Sequence, residues 1–353
     1  MADEYENIKK QHLVAYLTFF EEDHPELVFD YNIKLKKISE KEKEHFSNHQ
    51  GKSIGSSNFV LSLSITDNFI ETVKKLFKPS ILFPEKWDNL KIEDKEHYII
   101  DEAKYYLKKL VQAINITAQS SCRIIRIDTY QENKLVSVGH KERLKFFSNF
   151  DLVCNIPQDF VESINIIFSR ILEAEPQSII IGHEIRDLKK HWWLIALEYF
   201  EKYSNFSLVA DQTICLTIAL ESLLSGPDEQ GEIGYRIRFR TSLYWYKLAN
   251  FDPKEIQAII KAVYDIRSKI VHGTLTLGTT ENEKRKIGNN KLSVHQILCI
   301  VHEIIRYMLF DIIINQSDKS KNEFIEYIDT IWQTNDPDSL NTWDWEQIKN
   351  YLI

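Results

Sequence analysis

The stretch VYDIRSKIVHG, residues 263–273, decides how the C-terminal half of the chain is read. It closes a longer run, DPKEIQAIIKAVYDIRSKIVHG (252–273), that carries helix signals at both ends. Asp252 offers an N-cap, Pro253 suits the first helical position, and Gly273 suits a stop. Arg267 and His272 then sit five residues apart on one helix, about 140° around its axis. Both side chains leave the same broad side, and Ile266, Ile270 and Val271 are expected to face the bundle. A His at a helix C-terminus feels the negative end of the macrodipole, which favours imidazolium.

Helical spacing of apolar residues continues on both sides of this run. HWWLIALEYFEKY (191–203), DQTICLTIALESLLSG (211–226), YRIRFRTSLYWYKL (235–248) and LSVHQILCIVHEIIRYMLFDIII (292–314) each read as a helix. Asp211 is the expected N-cap of the second and Gly226 its stop. Residues 226–234 and 274–291 read as loops, and strand signals vanish from about residue 186. The first part is mixed. LVFDYNIKLKKI (27–38) and NFVLSLSIT (58–66) alternate as strands do, and Asp67 is the expected cap of a helix over FIETVKKLF. A long helix is expected over 96–118, paired strands at 122–128 and 134–139, and a helix near 158–174; SIIIGHEI (178–185) suits a strand or a buried connection. The expected fold class is therefore α+β: a mixed α/β domain over 1–185, an all-α bundle over 186–335, and a tail at 336–353 with one short helix.

Bulk numbers narrow the function classes. The chain has 353 residues, 43% hydrophobic and 27% charged, with a formal net charge of -8. Such a composition is that of a globular protein. The acidic total excludes a uniformly basic nucleic-acid binder, though the local field at a cleft decides attraction. Four scattered cysteines form no Cys-x-x-Cys pair, so no disulfide framework or thiolate zinc site is expected. The N-terminus lacks a secretory pattern, and 297–315 is broken by His302, Glu303, Arg306 and Asp311. A cytoplasmic protein off the membrane is the expectation. His45 and His49 have metal-ligand spacing but lie in a loop-like segment with no third ligand. No Gly-rich phosphate loop and no Gly-x-Ser-x-Gly occurs, so no metal and no cofactor is expected.

An Arg and a His so placed suit phosphodiester transfer. RNA supplies its own nucleophile, the 2′-OH. Histidine moves protons near neutral pH, and arginine forks onto phosphate oxygens. One His cannot serve both the attacking and the leaving oxygen, so a two-fold dimer is expected to bring a second pair. The bare spacing is weak: 11 Arg and 11 His give about one match by chance. A second match, Arg186–Asp187–His191, sits at the start of the first bundle helix, lacks a terminating Gly and is crowded by Trp192 and Trp193.

Context singles out the first match. IALESLLSG (218–226), the arginine-rich YRIRFRTSLYW (235–245) and VYDIRSKIVHG (263–273) follow one another in an order and spacing that resemble the HEPN superfamily, in particular its Apea-like branch. The family motif is Arg, a polar residue and His after four to six intervening positions; Arg267, Ser268 and His272 match it. The resemblance covers about a third of the chain and leaves 1–185 unexplained. It implies a metal-independent endoribonuclease acting as a homodimer, often in toxin or antiviral systems. It equally admits a catalytically silent module that binds RNA, nucleotide or protein. Thr274 stands where one toxin branch has Tyr. On this reading Arg267 and His272 are catalytic, and Asp265 and Ser268 set hydrogen bonding around them. Glu221 either orients that pair or forms an ion pair with Arg236, Arg238 or Arg240. Arg236, Arg240, Lys247 and Lys269 either line a path for RNA or form a solvated face with structural ion pairs. Tyr244, Trp245 and Tyr246 read as core or as base-stacking groups, and His295 and His302 as packed groups. The N-terminal domain is expected to sense a signal or hold a protein partner.

Overall fold

The structure is a computed structural model. It describes residues 5–17, 26–38, 59–76, 86–118, 122, 124–131, 134–137, 156–174, 180–181, 184–185, 191–206, 208–226, 229, 231–249, 251–273, 284–287 and 290–331. The chain forms two compact units that divide near residue 190. The architecture is α+β, with an antiparallel sheet in the first unit and helices dominating the second.

The first unit is built on six strands: β1 (Gln11–Leu17), β2 (Leu27–Phe29), β3 (Ile33–Lys37), β4 (Phe59–Ser64), β5 (Ile124–Gln131) and β6 (Lys134–Ser137). They lie in the order β2-β3-β4-β1-β5-β6, and every pairing is antiparallel. Central β1 is buried along Leu13–Leu17. A strand covered on both faces loses the alternation that marks a half-buried one, which is why its sequence carries no strand signal. The expected single strand over 27–38 is instead a hairpin. Tyr31 and Asn32 both have positive φ, 57° and 56°, and the Ile33 N–H closes the turn onto the Asp30 carbonyl. Two left-handed residues in a row are costly without glycine. The Tyr31 ring offsets that cost by packing edge-on against Tyr106 and Phe168, at 4.8 and 5.9 Å.

Helices α1 (Glu6–Lys9), α2 (Asp67–Leu76), α3 (Ile92–Thr117) and α4 (Phe160–Ala174) complete this unit, with a short pair β7 (Ile180–Ile181) and β8 (Glu184–Ile185). α3 packs against α4 and against strands of the sheet. Thr66, not Asp67, caps α2: its hydroxyl accepts from the Phe69 N–H at 3.3 Å. Asp67 is the first helical residue and pairs with Lys9.

The second unit contains α5 (Leu194–Asn205), α6 (Val209–Leu224), α7 (Ile233–Ala249), α8 (Pro253–Val271), α9 (Val294–Asp311) and α10 (Lys321–Thr330). α6 contacts α5, α7, α8 and α9, so it is the axis of the bundle. That position explains its apolar sequence: Leu216, Ala219, Leu220, Leu223 and Leu224 are fully buried. It starts two residues before Asp211, which falls in its first turn, and ends at Leu224, two residues before Gly226. Trp193, Tyr244 and Trp245 are core, and the Tyr244 hydroxyl donates to Asp311. α9 opens on a capping box, Ser293 with Gln296, and runs into a π-type turn over Ile312–Gln316. Within it, burial opposes ionisation of Glu303, yet Arg306 and His302 hold the carboxyl down at about 2. His302 is packed, stacked on Phe200 at 4.4 Å. His295 lies 4.0 Å from the Cys299 Sγ.

The helical half is not free of strands. Lys284–Ile287 (β9) and Asn290–Ser293 (β10) form an antiparallel hairpin that falls in the expected loop 274–291 and takes the first two residues of the helix expected over 292–314. Among the described residues no helix is long and apolar enough to cross a membrane. His45, His49, Cys154, Arg186, Asp187, Thr274 and the tail at 336–353 lie outside the described residues.

Candidate functional site: the C-terminal end of α8

α8 forms as its sequence dictates. The Asp252 carboxylate accepts from the Lys254 N–H at 2.9 Å, and Pro253 occupies the first turn. Ile256, Ile259, Ile260, Val263 and Ile266 are buried, a stripe at helical spacing facing the bundle. The helix stops at Val271. The His272 N–H bonds to the Ser268 carbonyl and the Gly273 N–H to the Ile270 carbonyl, each at 3.0 Å. Gly273 has φ +66°, the left-handed conformation that ends many helices and that glycine adopts without cost. Val271 departs from expectation: it is 64% exposed, because the last turn projects past the bundle.

That projection places His272 on the surface, at the carbonyl end of the helix. Among the described residues its imidazole has no hydrogen-bond partner, so both ring nitrogens are open to solvent or a ligand. Arg267, one turn back, is held from the bundle side. Its Nη1 lies 3.5 Å from the Glu221 Oε1 of α6, with the arginine side chain 39% exposed. The Tyr264 hydroxyl donates to the same oxygen at 3.3 Å. Burial first, then the Glu221 charge, pushes the Tyr264 phenol well above its ordinary pKa, so it remains a donor. Gly234 at the start of α7 packs on this ring: a Cβ there would meet the Tyr264 Cδ1 at 3.3 Å. Among the described residues Glu221 therefore pairs with Arg267, not with Arg236, Arg238 or Arg240.

The other expected residues divide. Asp265 turns away from the pair toward Arg285 of β9, at 3.9 Å. Two residues are about 200° of helix, so Asp265 and Arg267 cannot share a face. Ser268 touches His272 only through its backbone carbonyl, and its side chain is exposed. Arg240 is not an RNA contact. It is 5% exposed and bonds Glu229 at 2.6 and 2.8 Å, Asp329 at 2.7 and 2.8 Å and the Leu224 carbonyl at 2.8 Å. These bonds tie α7 to α10 and to the segment that follows α6. Arg240 bonding, above all, lowers Glu229 to about 2. Lys247 is turned over the Tyr327 ring of α10, 5.4 Å from its centroid. Arg236 stays part-exposed, 3.7 Å from Glu229, and Lys269 is exposed.

Two residues escaped the sequence reading. Tyr235 and Phe239 are 57% and 36% exposed on α7, with rings parallel to within 6° and centroids 6.4 Å apart. The Arg238 guanidinium lies 5.6 Å from the centre of the Tyr235 ring. Their i, i+4 spacing among the arginines was the available signal. Among the described residues no group of three or more His, Cys, Asp or Glu could hold a metal ion. Comparison with models of known families, with curated proteins and with solved structures finds no significant match to this chain.

Proposed function

We propose that this protein is a cytoplasmic, metal-independent endoribonuclease of HEPN type, acting in a prokaryotic defence or stress response. One observation carries the reading: His272 is an exposed imidazole with no partner among the described residues, at the end of the helix on which Glu221 braces Arg267. In the reaction the 2′-OH attacks the adjacent phosphorus. The P–O2′ bond forms and the P–O5′ bond breaks, leaving a 2′,3′-cyclic phosphate and a 5′-OH. Neutral His272 accepts the 2′ proton. Imidazolium on a second copy of the chain gives a proton to the departing 5′-oxygen, which is why the active species is a homodimer. Arg267 forks onto the phosphate oxygens and stabilises their charge. The exposed Tyr235–Phe239 pair on α7 supports single-stranded substrate, because parallel aromatic faces stack bases without regard to sequence.

The test is cleavage of a mixed RNA pool in excess EDTA. Products with cyclic phosphate ends are expected, and His272→Ala is expected to abolish them. Cleavage undiminished in His272→Ala would end the assignment. RNA binding with no cleavage by either form would leave a silent RNA-binding module.

A further inference from the structure

We infer that the outer face of the β9–β10 hairpin is a contact surface for the phosphodiester backbone of single-stranded nucleic acid. Register and burial define that face. Lys286 stands directly opposite Lys291, and Lys284 opposite Ser293. Side chains alternate across a strand, so Lys284, Lys286, Lys291 and Ser293 share one side of the ribbon. Ile287 and Leu292 share the other and are buried, each at 7% exposure. Arg285 lies with them and meets Asp265. The inner side therefore packs toward α8 and α9, and all three lysines are exposed on the outer side.

Such a face is unfavourable for folding alone. Like charges directly opposite on a two-stranded ribbon repel, and a ribbon this short has little stability to spare. The chain carries 52 acidic residues against 44 basic ones. Even so, among the described residues none of the three lysines has an ion-pair partner. Lysines also guard sheet edges against unwanted pairing. Both strands of this ribbon are edges, so that role needs one lysine on each, but it does not need the two on the same rung. A polyanion with regularly spaced charges relieves the repulsion, and a phosphodiester chain has that spacing. The inference rests on the nuclease reading only for the choice of RNA among polyanions.

The experiment uses the full chain carrying His272→Ala, so that RNA survives. Fluorescent single strands of about 20 nucleotides, one RNA and one DNA of the same sequence, are titrated across a salt series. Each phosphate contact contributes about 0.7 to the slope of log K against log salt for single strands. The triple variant Lys284→Gln, Lys286→Gln, Lys291→Gln is expected to lower the slope magnitude by about 2. Its affinity falls about 50-fold at 0.15 M salt and converges on the parent near 1 M. The matching triple Lys→Arg variant is expected to keep the parent slope. Equal losses on RNA and DNA point to phosphate; a loss on RNA alone would overturn the backbone assignment. So would an unchanged slope, self-association of the Gln variant with no loss of binding, or displacement of the probe by polyglutamate at equal charge. Separately, His272→Ala that still cleaves RNA sinks the nuclease reading and leaves the DNA arm intact.

Discussion

Replacing Arg240 by Met separates a structural clamp from an RNA contact. Methionine keeps an unbranched apolar stem, stops short of the guanidinium, and removes the charge and all five hydrogen bonds. Glu229 and Asp329 are then left beside each other, and the Leu224 carbonyl loses a donor. Removing one partner of a buried pair costs about 3–5 kcal/mol. Asp329 is 43% exposed and rehydrates, which places this case near 3 kcal/mol. For a unit of this size that lowers Tm by roughly 6–12 °C. The loss also depends on pH. Glu229 is depressed from 4.5 to about 2 in the folded protein. A depressed carboxylate stabilises fully above its unfolded pKa, and that stability is lost as pH falls from about 4.5 toward 2. Roughly 0.8 kcal/mol of it is gone by pH 4. The variant lacks the pair, so its deficit shrinks by that amount between pH 7 and pH 4. Urea unfolding followed by tryptophan fluorescence measures both, since Trp193 and Trp245 are buried in this unit. Below its melting range the variant should bind single-stranded RNA with the parent salt slope. A deficit under about 1 kcal/mol that ignores pH, or a slope lowered by one contact, would refute the clamp.

Two further outcomes follow from the geometry at α8. Glu221→Gln keeps an acceptor for Tyr264 and removes the charge that braces Arg267. It should slow cleavage at saturating RNA by about five- to tenfold, with binding unchanged and Tm moved by only a few degrees; a change in binding alone would assign Glu221 to the substrate path instead. Gly273→Ala places a Cβ in open space but on a left-handed backbone, so it should cost about 1 kcal/mol in chemical denaturation. Gly273→Asn should cost less, because asparagine tolerates that conformation; equal costs would show that φ is not the cause.

Local rules determined α8 by themselves. Its cap at Asp252 and its stop at Gly273 are interactions within a few residues, as are the capping boxes of α9 and α10, and the spacing of its apolar stripe is a local pattern. The α+β class was legible for the same reason, because periodicity reports which side of an element meets the core. Only the tertiary structure decided the rest. β1 has no alternation because both its faces are covered, and that follows from where its neighbours lie. Arg240 and Arg267 look alike in sequence; burial against Glu229 and Asp329 made one a clamp, and Glu221 on a neighbouring helix positioned the other at the surface. The three lysines of the hairpin became one face only when β9 and β10 paired in register. Partners such as Arg240 and Asp329, or Arg267 and Glu221, are chosen by packing, and no local pattern in the chain records that choice.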